Sequence, residues 1–313
     1  MTNVLLLGAG FTAEERARLD GAFDTVAAMK ADEVSAIDAS TRAGITALAF
    51  KGHMPLGAEI MDQMPNLGVI ANFGVGYDAI DVTAASARGI KVTNTPDVLN
   101  DDVADLAVAM LLAQSRNMIV GEARARSGLW AKEGELPLNR KASGSTVGIV
   151  GLGRIGREIA DRLAAFKMDI HYSSRSQKDT PGWTYHSDVV SLAAAVDFLV
   201  IALVGGKETE KHVSAEAIAA LGPRGVVINI SRGTTVDEAA LLDALESGAI
   251  AGAGLDVFLN EPNIDPRFAA LDNVVLQPHQ GSGTVETRTA MAMLQHDNIA
   301  AFLAGDALLT PVN

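Results

Sequence analysis

The stretch Thr146-Val147-Gly148-Ile149-Val150-Gly151-Leu152-Gly153-Arg154-Ile155-Gly156 runs an apolar segment directly into Gly-x-Gly-x-x-Gly, and a helical stretch follows to about Phe166. Gly151 permits a tight turn, Gly153 lets backbone approach a pyrophosphate, and Gly156 allows a helix to pack closely on its strand. The helix start adds free N–H groups and a positive dipole end. Gly-rich turns without a ligand are common, so the context carries the weight: strand, loop, helix and next strand fall in order. The pattern predicts a dinucleotide cradle from Gly151, Leu152, Gly153, Arg154, Ile155 and Gly156.

Working outward, apolar runs predict strands at Val147–Val150, Ile170–Ser173, Phe198–Leu203, Val226–Ile230, Gly254–Val257 and Val274–Leu276. Six strands separated by helical stretches suffice for a complete doubly wound parallel sheet. Ala202, Leu203, Ile230 and Asp256 then sit at or near strand ends, where such sheets bind ligands, and are expected to contact the cofactor; Asp256 equally suits a place behind Arg232 or a purely structural role. Towards the N-terminus, Val4–Leu7 closed by Gly8-Ala9-Gly10, Ile45–Phe50 and Leu67–Asn72 read as further buried strands. Thr12 with Glu15 forms an N-cap pair. Asn100-Asp101-Asp102 suits the cap of a helix reaching about Asn117, followed by a polar, Gly-containing stretch from Gly128 to Ser145. Thr284 to Leu303 reads as a last helix, with Val285, Met291, Leu294, Ile299 and Phe302 as core candidates.

These elements predict an α/β chain of two domains. A flavodoxin-like substrate domain is built from residues 1–98 plus 284–313, and a Rossmann-type domain from residues 99–283. A cleft is expected between them, with hinges near Pro96–Asn100 and Gly281–Thr284.

With 313 residues, 48% hydrophobic and 20% charged, the chain has enough apolar material for real cores, and wholesale disorder is excluded. Its net charge of −13 opposes non-specific attraction to nucleic acid or anionic lipid, so an anionic ligand has to be held by local positive groups. Cysteine is absent, which removes disulfides, thiolate metal sites and cysteine nucleophiles and suits the cytoplasm. No apolar run approaches the ~20 residues of a membrane span. His171, His186, His212 and His296 lack convincing ligand spacing, and no metal site is expected.

The choice of cofactor rests on Tyr172-Ser173-Ser174-Arg175-Ser176. NAD sites place an Asp or Glu about 20 residues past the first glycine, to accept from the ribose 2′-OH. Here Ser174 takes that place. A carboxylate would repel a 2′-phosphate, whereas hydroxyls from Ser173, Ser174 and Ser176 and the Arg175 guanidinium can donate to it. NADP(H) is therefore expected over NAD(H). Asp169, the nearest acid, lies at the opposite end of the strand.

Three later segments put polar groups at strand ends: Asn229-Ile230-Ser231-Arg232-Gly233, Leu255-Asp256-Val257-Phe258-Leu259-Asn260-Glu261-Pro262 and Gln277-Pro278-His279-Gln280-Gly281-Ser282. An Arg, a Glu and a His that converge offer a carboxylate clamp, an anion that orients a base, and a proton donor near neutral pH. That set suits carbonyl reduction.

Together with Gly-Leu-Gly-Arg-Ile-Gly, these segments resemble the D-isomer-specific 2-hydroxyacid dehydrogenase family, in order and over nearly the whole chain. Asn72-Phe73-Gly74-Val75-Gly76-Tyr77-Asp78-Ala79-Ile80-Asp81 resembles the family's glycine loop, which implies that backbone N–H groups, notably at Val75 and Gly76, bind the substrate carboxylate. The resemblance implies that Arg232 holds carboxylate and keto oxygen, that His279 is the acid–base residue, and that Glu261 hydrogen-bonds it. The Ser-Ser-Arg-Ser stretch is similar to that of the NADPH-using glyoxylate/hydroxypyruvate reductases, so a small 2-oxo or 2-hydroxy acid is the implied substrate, with larger 2-keto acids open. The family also implies a homodimer, with the helix ending near Asn117 and Trp130 at the contact. A nucleotide-sensing protein, like the corepressors that resemble this family, is the alternative from another class. Gln280 departs from the small or apolar residue expected between His and Gly-Ser. Lys51 and His53 follow a strand of the first domain and are expected on the substrate side or in solvent.

Overall fold

The computed structural model describes residues 3–313, which form two compact units, 3–98 with 284–313, and 99–283. In the first unit five parallel strands, β1 (Val4–Leu7), β2 (Thr25–Ala28), β3 (Ala47–Phe50), β4 (Val69–Asn72) and β5 (Lys91–Thr93), lie in the order β2-β1-β3-β4-β5. β1, β3 and β4 are apolar almost throughout because they are buried on both faces, as a parallel sheet requires. The edge strands β2 and β5 are partly exposed and begin on the polar Thr25 and Lys91, so they present no comparable buried apolar run.

The strands end flush: Leu7 pairs with Phe50, and Phe50 with Asn72. The loops after them therefore leave from one edge. The helix Val285–Ala304 returns to this unit, where Ile299 packs with Ala49 and Ala71. Its buried Gln295 donates through Nε2 to the carbonyls of Phe50 (3.1 Å) and Ala71 (2.8 Å). Val285, expected in the core, is 80% exposed. It lies to one side of the buried stripe through Thr287, Met291, Gln295 and Ile299, which follows the helical repeat.

Of the two places expected for Lys51, solvent is ruled out. Its side chain is only 12% exposed, and Nζ contacts the equally buried Glu15 carboxylate at 2.5 and 2.7 Å. The ammonium lies 4.1 Å from the centre of the Phe73 ring. Burial pulls the Lys51 pKa down, while Glu15 opposes the shift. Thr12 and Glu15 form the expected capping box, so Glu15 joins the helix Ala13–Ala22 to the end of β3.

The second unit has seven parallel strands, β6 (Thr146–Val150), β7 (Asp169–Ser173), β8 (Thr184–His186), β9 (Phe198–Ile201), β10 (Val226–Asn229), β11 (Gly252–Leu255) and β12 (Val274–Leu276). Their order, β12-β11-β10-β9-β6-β7-β8, is doubly wound and reverses at β6 and β9. β8 is the strand beyond the six expected; Thr184 is exposed, Tyr185 and His186 are half-buried, and the three form no apolar run. β9, β10 and β11 stop earlier than read, because Ala202, Leu203, Ile230, Asp256 and Val257 already belong to the loops above the sheet.

Asn100–Asp102 do not cap the next helix. Leu99 holds the cap position without a side-chain bond, and Asn100–Ser115 is helical. Asp101 and Asp105 instead pair with Arg162 at 2.6 Å each. A second helix, Met118–Ser127, bends away by 64°, and Leu129–Glu133 is helical where only a polar stretch was read. Among the described residues no single helix is long and apolar enough to cross a membrane.

In Lys51→Met, Glu15 is left buried without its counter-ion. Urea titration is expected to show a loss of about 3 kcal/mol, most of it recovered in the double variant with Glu15→Gln. A single variant as stable as the parent would mean that the pair contributes nothing.

Candidate active site

The Gly-rich loop joins β6 to the helix Arg154–Ala165. Gly151 has φ +97°, and a Cβ there would lie 2.8 Å from the carbonyl oxygen of Ala202. A Cβ on Gly156 would lie 2.0 Å from the carbonyl oxygen of Gly151. Both are glycine because the turn and the helix packing leave no room. Gly153 differs: no atom lies within 4 Å of the place its Cβ would take, and it heads the helix without a side-chain cap. Leu152 anchors the loop in the core, Ile155 is half-buried and Arg154 is exposed. The open face at Gly153 and the uncapped helix start fit a dinucleotide pyrophosphate.

At the end of β7, Ser173 is buried, Ser174 half-buried, and Arg175 and Ser176 exposed. Ser174 Oγ donates to the carbonyl of Ser176 at 2.7 Å. No carboxylate occupies the Ser174 position, and Asp169 begins β7 at the far end of the strand. The buried Tyr172 hydroxyl accepts from the Lys178 N–H (2.8 Å) and donates to the Lys178 carbonyl (3.1 Å). This brings Lys178 Nζ to 3.4 Å from Ser176 Oγ, a second cation beside Arg175. Sequence reasoning missed Lys178, because only the fold back through Tyr172 puts it there.

The loops after β10, β11 and β12 carry the proposed chemistry. His279 Nδ1 lies 2.7 Å from Glu261 Oε2. Glu261 Oε1 accepts from the Phe258 N–H at 2.8 Å, so its carboxylate is aimed by its own loop. His279 sits at φ +55°, a conformation that non-glycine residues rarely adopt. Asp256 holds it there. Its carbonyl accepts from the His279 N–H (2.9 Å), and its carboxylate accepts from the N–H groups of Gln280 (2.6 Å) and Gly281 (2.8 Å). Burial pushes the Asp256 pKa up, and the two backbone donors oppose that shift. With 1% of its surface exposed, Asp256 braces the loop, in keeping with the structural one of the roles its place in the sequence left open.

Arg232 follows β10, and one of its guanidinium nitrogens donates to the Ser231 carbonyl at 2.8 Å. The next residue, Gly233, touches the Glu261 loop: a Cβ there would lie 2.0 Å from the Phe258 carbonyl carbon. The arginine turn and the acid loop are thus packed backbone to backbone. Ala202, Leu203 and Ile230 line the same sheet edge, with the Ser231 hydroxyl donating to the Leu203 carbonyl. Gln280 is exposed, and its side-chain amide donates to the Pro278 carbonyl.

In the first unit, the loop after β4 turns its carbonyls away from solvent. Asn72 Nδ2 donates to the carbonyls of Gly74 (3.1 Å) and Gly76 (3.0 Å), and Asn94 Nδ2 to that of Val75 (2.9 Å). Gly74 exchanges two further bonds with Thr95. The N–H groups of Val75 and Gly76 have no hydrogen bond within the described residues, so two successive backbone donors are left for an anion.

Residues 108–281 match the model of the D-isomer specific 2-hydroxyacid dehydrogenase NAD binding domain. The chain belongs to this family. It is 44% identical to glyoxylate/hydroxypyruvate reductase A of Arabidopsis thaliana, over 94% of both chains. It is 45% identical to hydroxyphenylpyruvate reductase of Plectranthus scutellarioides, over 91% of this chain and 87% of the relative. A crystal structure of an NADPH-dependent glyoxylate/hydroxypyruvate reductase from Sinorhizobium meliloti, in complex with NADP and malonate, superposes with a TM-score of 0.94 at 45% identity and covers 100% of this chain and 97% of the other.

Gly153→Ala and Gly156→Ala separate ligand space from packing space. Gly153→Ala is expected to leave the thermal midpoint unchanged and to weaken dinucleotide binding, measured by calorimetry. Gly156→Ala, whose Cβ meets backbone, is expected to lower the midpoint itself.

Proposed function

We propose that the protein reduces a small 2-oxo acid of the glyoxylate/hydroxypyruvate class to the D-2-hydroxy acid, using NADPH. The observation that carries this reading is the His279–Glu261 contact at 2.7 Å on the sheet edge that also bears the Gly-rich loop and Arg232. NADPH, when bound, supplies the hydride that the keto carbon takes up. The Arg232 guanidinium draws the substrate carboxylate and polarises the keto oxygen, and the N–H groups of Val75 and Gly76 receive the carboxylate. His279 donates a proton from Nε2 to the keto oxygen, while Glu261 on Nδ1 sets the ring's orientation and offsets its positive charge. Ser174, Arg175, Ser176 and Lys178 favour the 2′-phosphate, leaving NAD(H) as the weaker alternative.

A larger aromatic 2-oxo acid is the second reading, favoured by the likeness to the Plectranthus enzyme. A cytoplasmic homodimer completes the proposal. It is supported by the exposed apolar Met118, Ile119, Trp130 and Leu138 on and beyond the bent helix, and sedimentation at micromolar protein tests it.

Following NADPH absorbance with a panel of 2-oxo acids tests the activity. Rapid oxidation with glyoxylate or hydroxypyruvate is expected, and tight NADPH binding without turnover of any acid would overturn the proposal in favour of a nucleotide sensor. His279→Ala is expected to lower kcat by about 10²–10⁴ with NADPH affinity kept. Arg175→Glu is expected to raise the NADPH Kd and leave that for NADH nearly unchanged, as read by fluorescence titration.

A further inference from the structure

We propose that Glu238 is a positioning residue for proton transfer: its carboxylate holds the Phe258–Leu259 peptide, and through that peptide keeps Glu261 on His279. The inference rests on the proposed role of His279.

Glu238 opens the helix Glu238–Glu246, whose N-cap is Asp237. A carboxylate in the first turn already suits the helix dipole, yet this one is turned elsewhere. Its Oε2 accepts from the Leu259 N–H at 2.8 Å. The neighbouring N–H, that of Phe258, donates to Glu261 Oε1 at the same distance. Two successive amides are therefore held by two different carboxylates, and the second carboxylate is the one that meets His279.

The peptide between them has no slack. Gly233 lies against it so closely that a Cβ would be 2.0 Å from the Phe258 carbonyl carbon and 2.4 Å from the Leu259 nitrogen. The Phe258 ring is fixed edge-on to Phe268, centroids 5.5 Å apart. Asn260, at φ +58°, then turns the chain so that Glu261 faces back. Without Glu238 the Leu259 N–H loses its acceptor, and nothing else among its hydrogen bonds keeps the peptide seated on Gly233.

The charge of Glu238 has a cost. Burial raises its pKa; the nearby Asp265 and Glu261 add to the rise, while Leu259 and Arg267 oppose it. A half-buried carboxylate facing two other acids is an expensive way to satisfy one amide unless its position matters.

The experiment compares the wild type with Glu238→Ala and Glu238→Gln in the full chain. Glu238→Ala is expected to lower kcat for 2-oxo acid reduction roughly tenfold, with the NADPH Kd unchanged. The NMR signal of the His279 Nδ1 proton is expected to lose the downfield position of a carboxylate-bonded proton and to broaden by solvent exchange, because a displaced Glu261 no longer accepts it. Glu238→Gln keeps a carbonyl oxygen for Leu259 and is expected to restore kcat to within about threefold. An alanine variant with wild-type kcat and an unchanged His279 Nδ1 proton signal would overturn the proposal, as would a glutamine variant no better than alanine. Should the alanine variant fail to fold, Glu238→Asp, too short to reach Leu259, takes its place with the same expectations. The NMR readout needs no turnover, so a wild type inactive on every acid would sink the proposed function while this inference is still decided.

Discussion

The chemistry available at the carboxyl edge of the seven-stranded sheet depends on His279 Nδ1 meeting Glu261 Oε2 at 2.7 Å. A lone imidazole on a loop rotates freely and takes either tautomer. A carboxylate on one nitrogen fixes the ring, and the other nitrogen becomes the one that exchanges a proton. Most polar groups around this contact maintain it: Asp256 grips the turn that holds His279 at a positive φ, and the Phe258 amide aims Glu261. Backbone N–H groups are the donors, and the buried Asp256 and half-buried Glu261 carboxylates the acceptors, so the site is braced by charge-assisted bonds.

A second constraint is steric. Gly151, Gly156 and Gly233 are places where backbone meets backbone with no space for a methyl group, and each sits in a loop that the proposed chemistry uses. Gly153, with open space before it, is the exception, and that contrast separates a glycine kept for a ligand from glycines kept for packing. In the first unit the loop after β4 shows the same economy by other means. Asn72, Asn94 and Thr95 bind its carbonyls and thereby turn donors outward.

Strands buried on both faces were legible because a parallel sheet leaves them no polar option: Val4–Leu7, Ala47–Phe50, Val147–Val150 and Phe198–Ile201 are continuous apolar runs. The edge strands β2, β5 and β8 were not, since one side of each faces solvent and their composition is mixed. Val285 misled because an apolar residue near a helix start looks like core until the buried stripe is known. Lys51 is the opposite case: a lysine suits the surface as readily as a site, and only the approach of Glu15, 36 positions away in the chain, makes its burial tolerable.

From the order of residues alone came the doubly wound class, the Gly-rich loop, the absence of an acid at Ser174, and the Arg, Glu and His at strand ends. These are local matters, set by side-chain period and by backbone freedom within a few residues. Tertiary structure alone decided that Lys178 stands beside Ser176, that Asp256 braces the histidine turn, and that Glu238 reaches the Leu259 amide. Each of these joins residues from separate elements, and a hydrogen bond a few ångströms long forms only after packing has brought its two ends together.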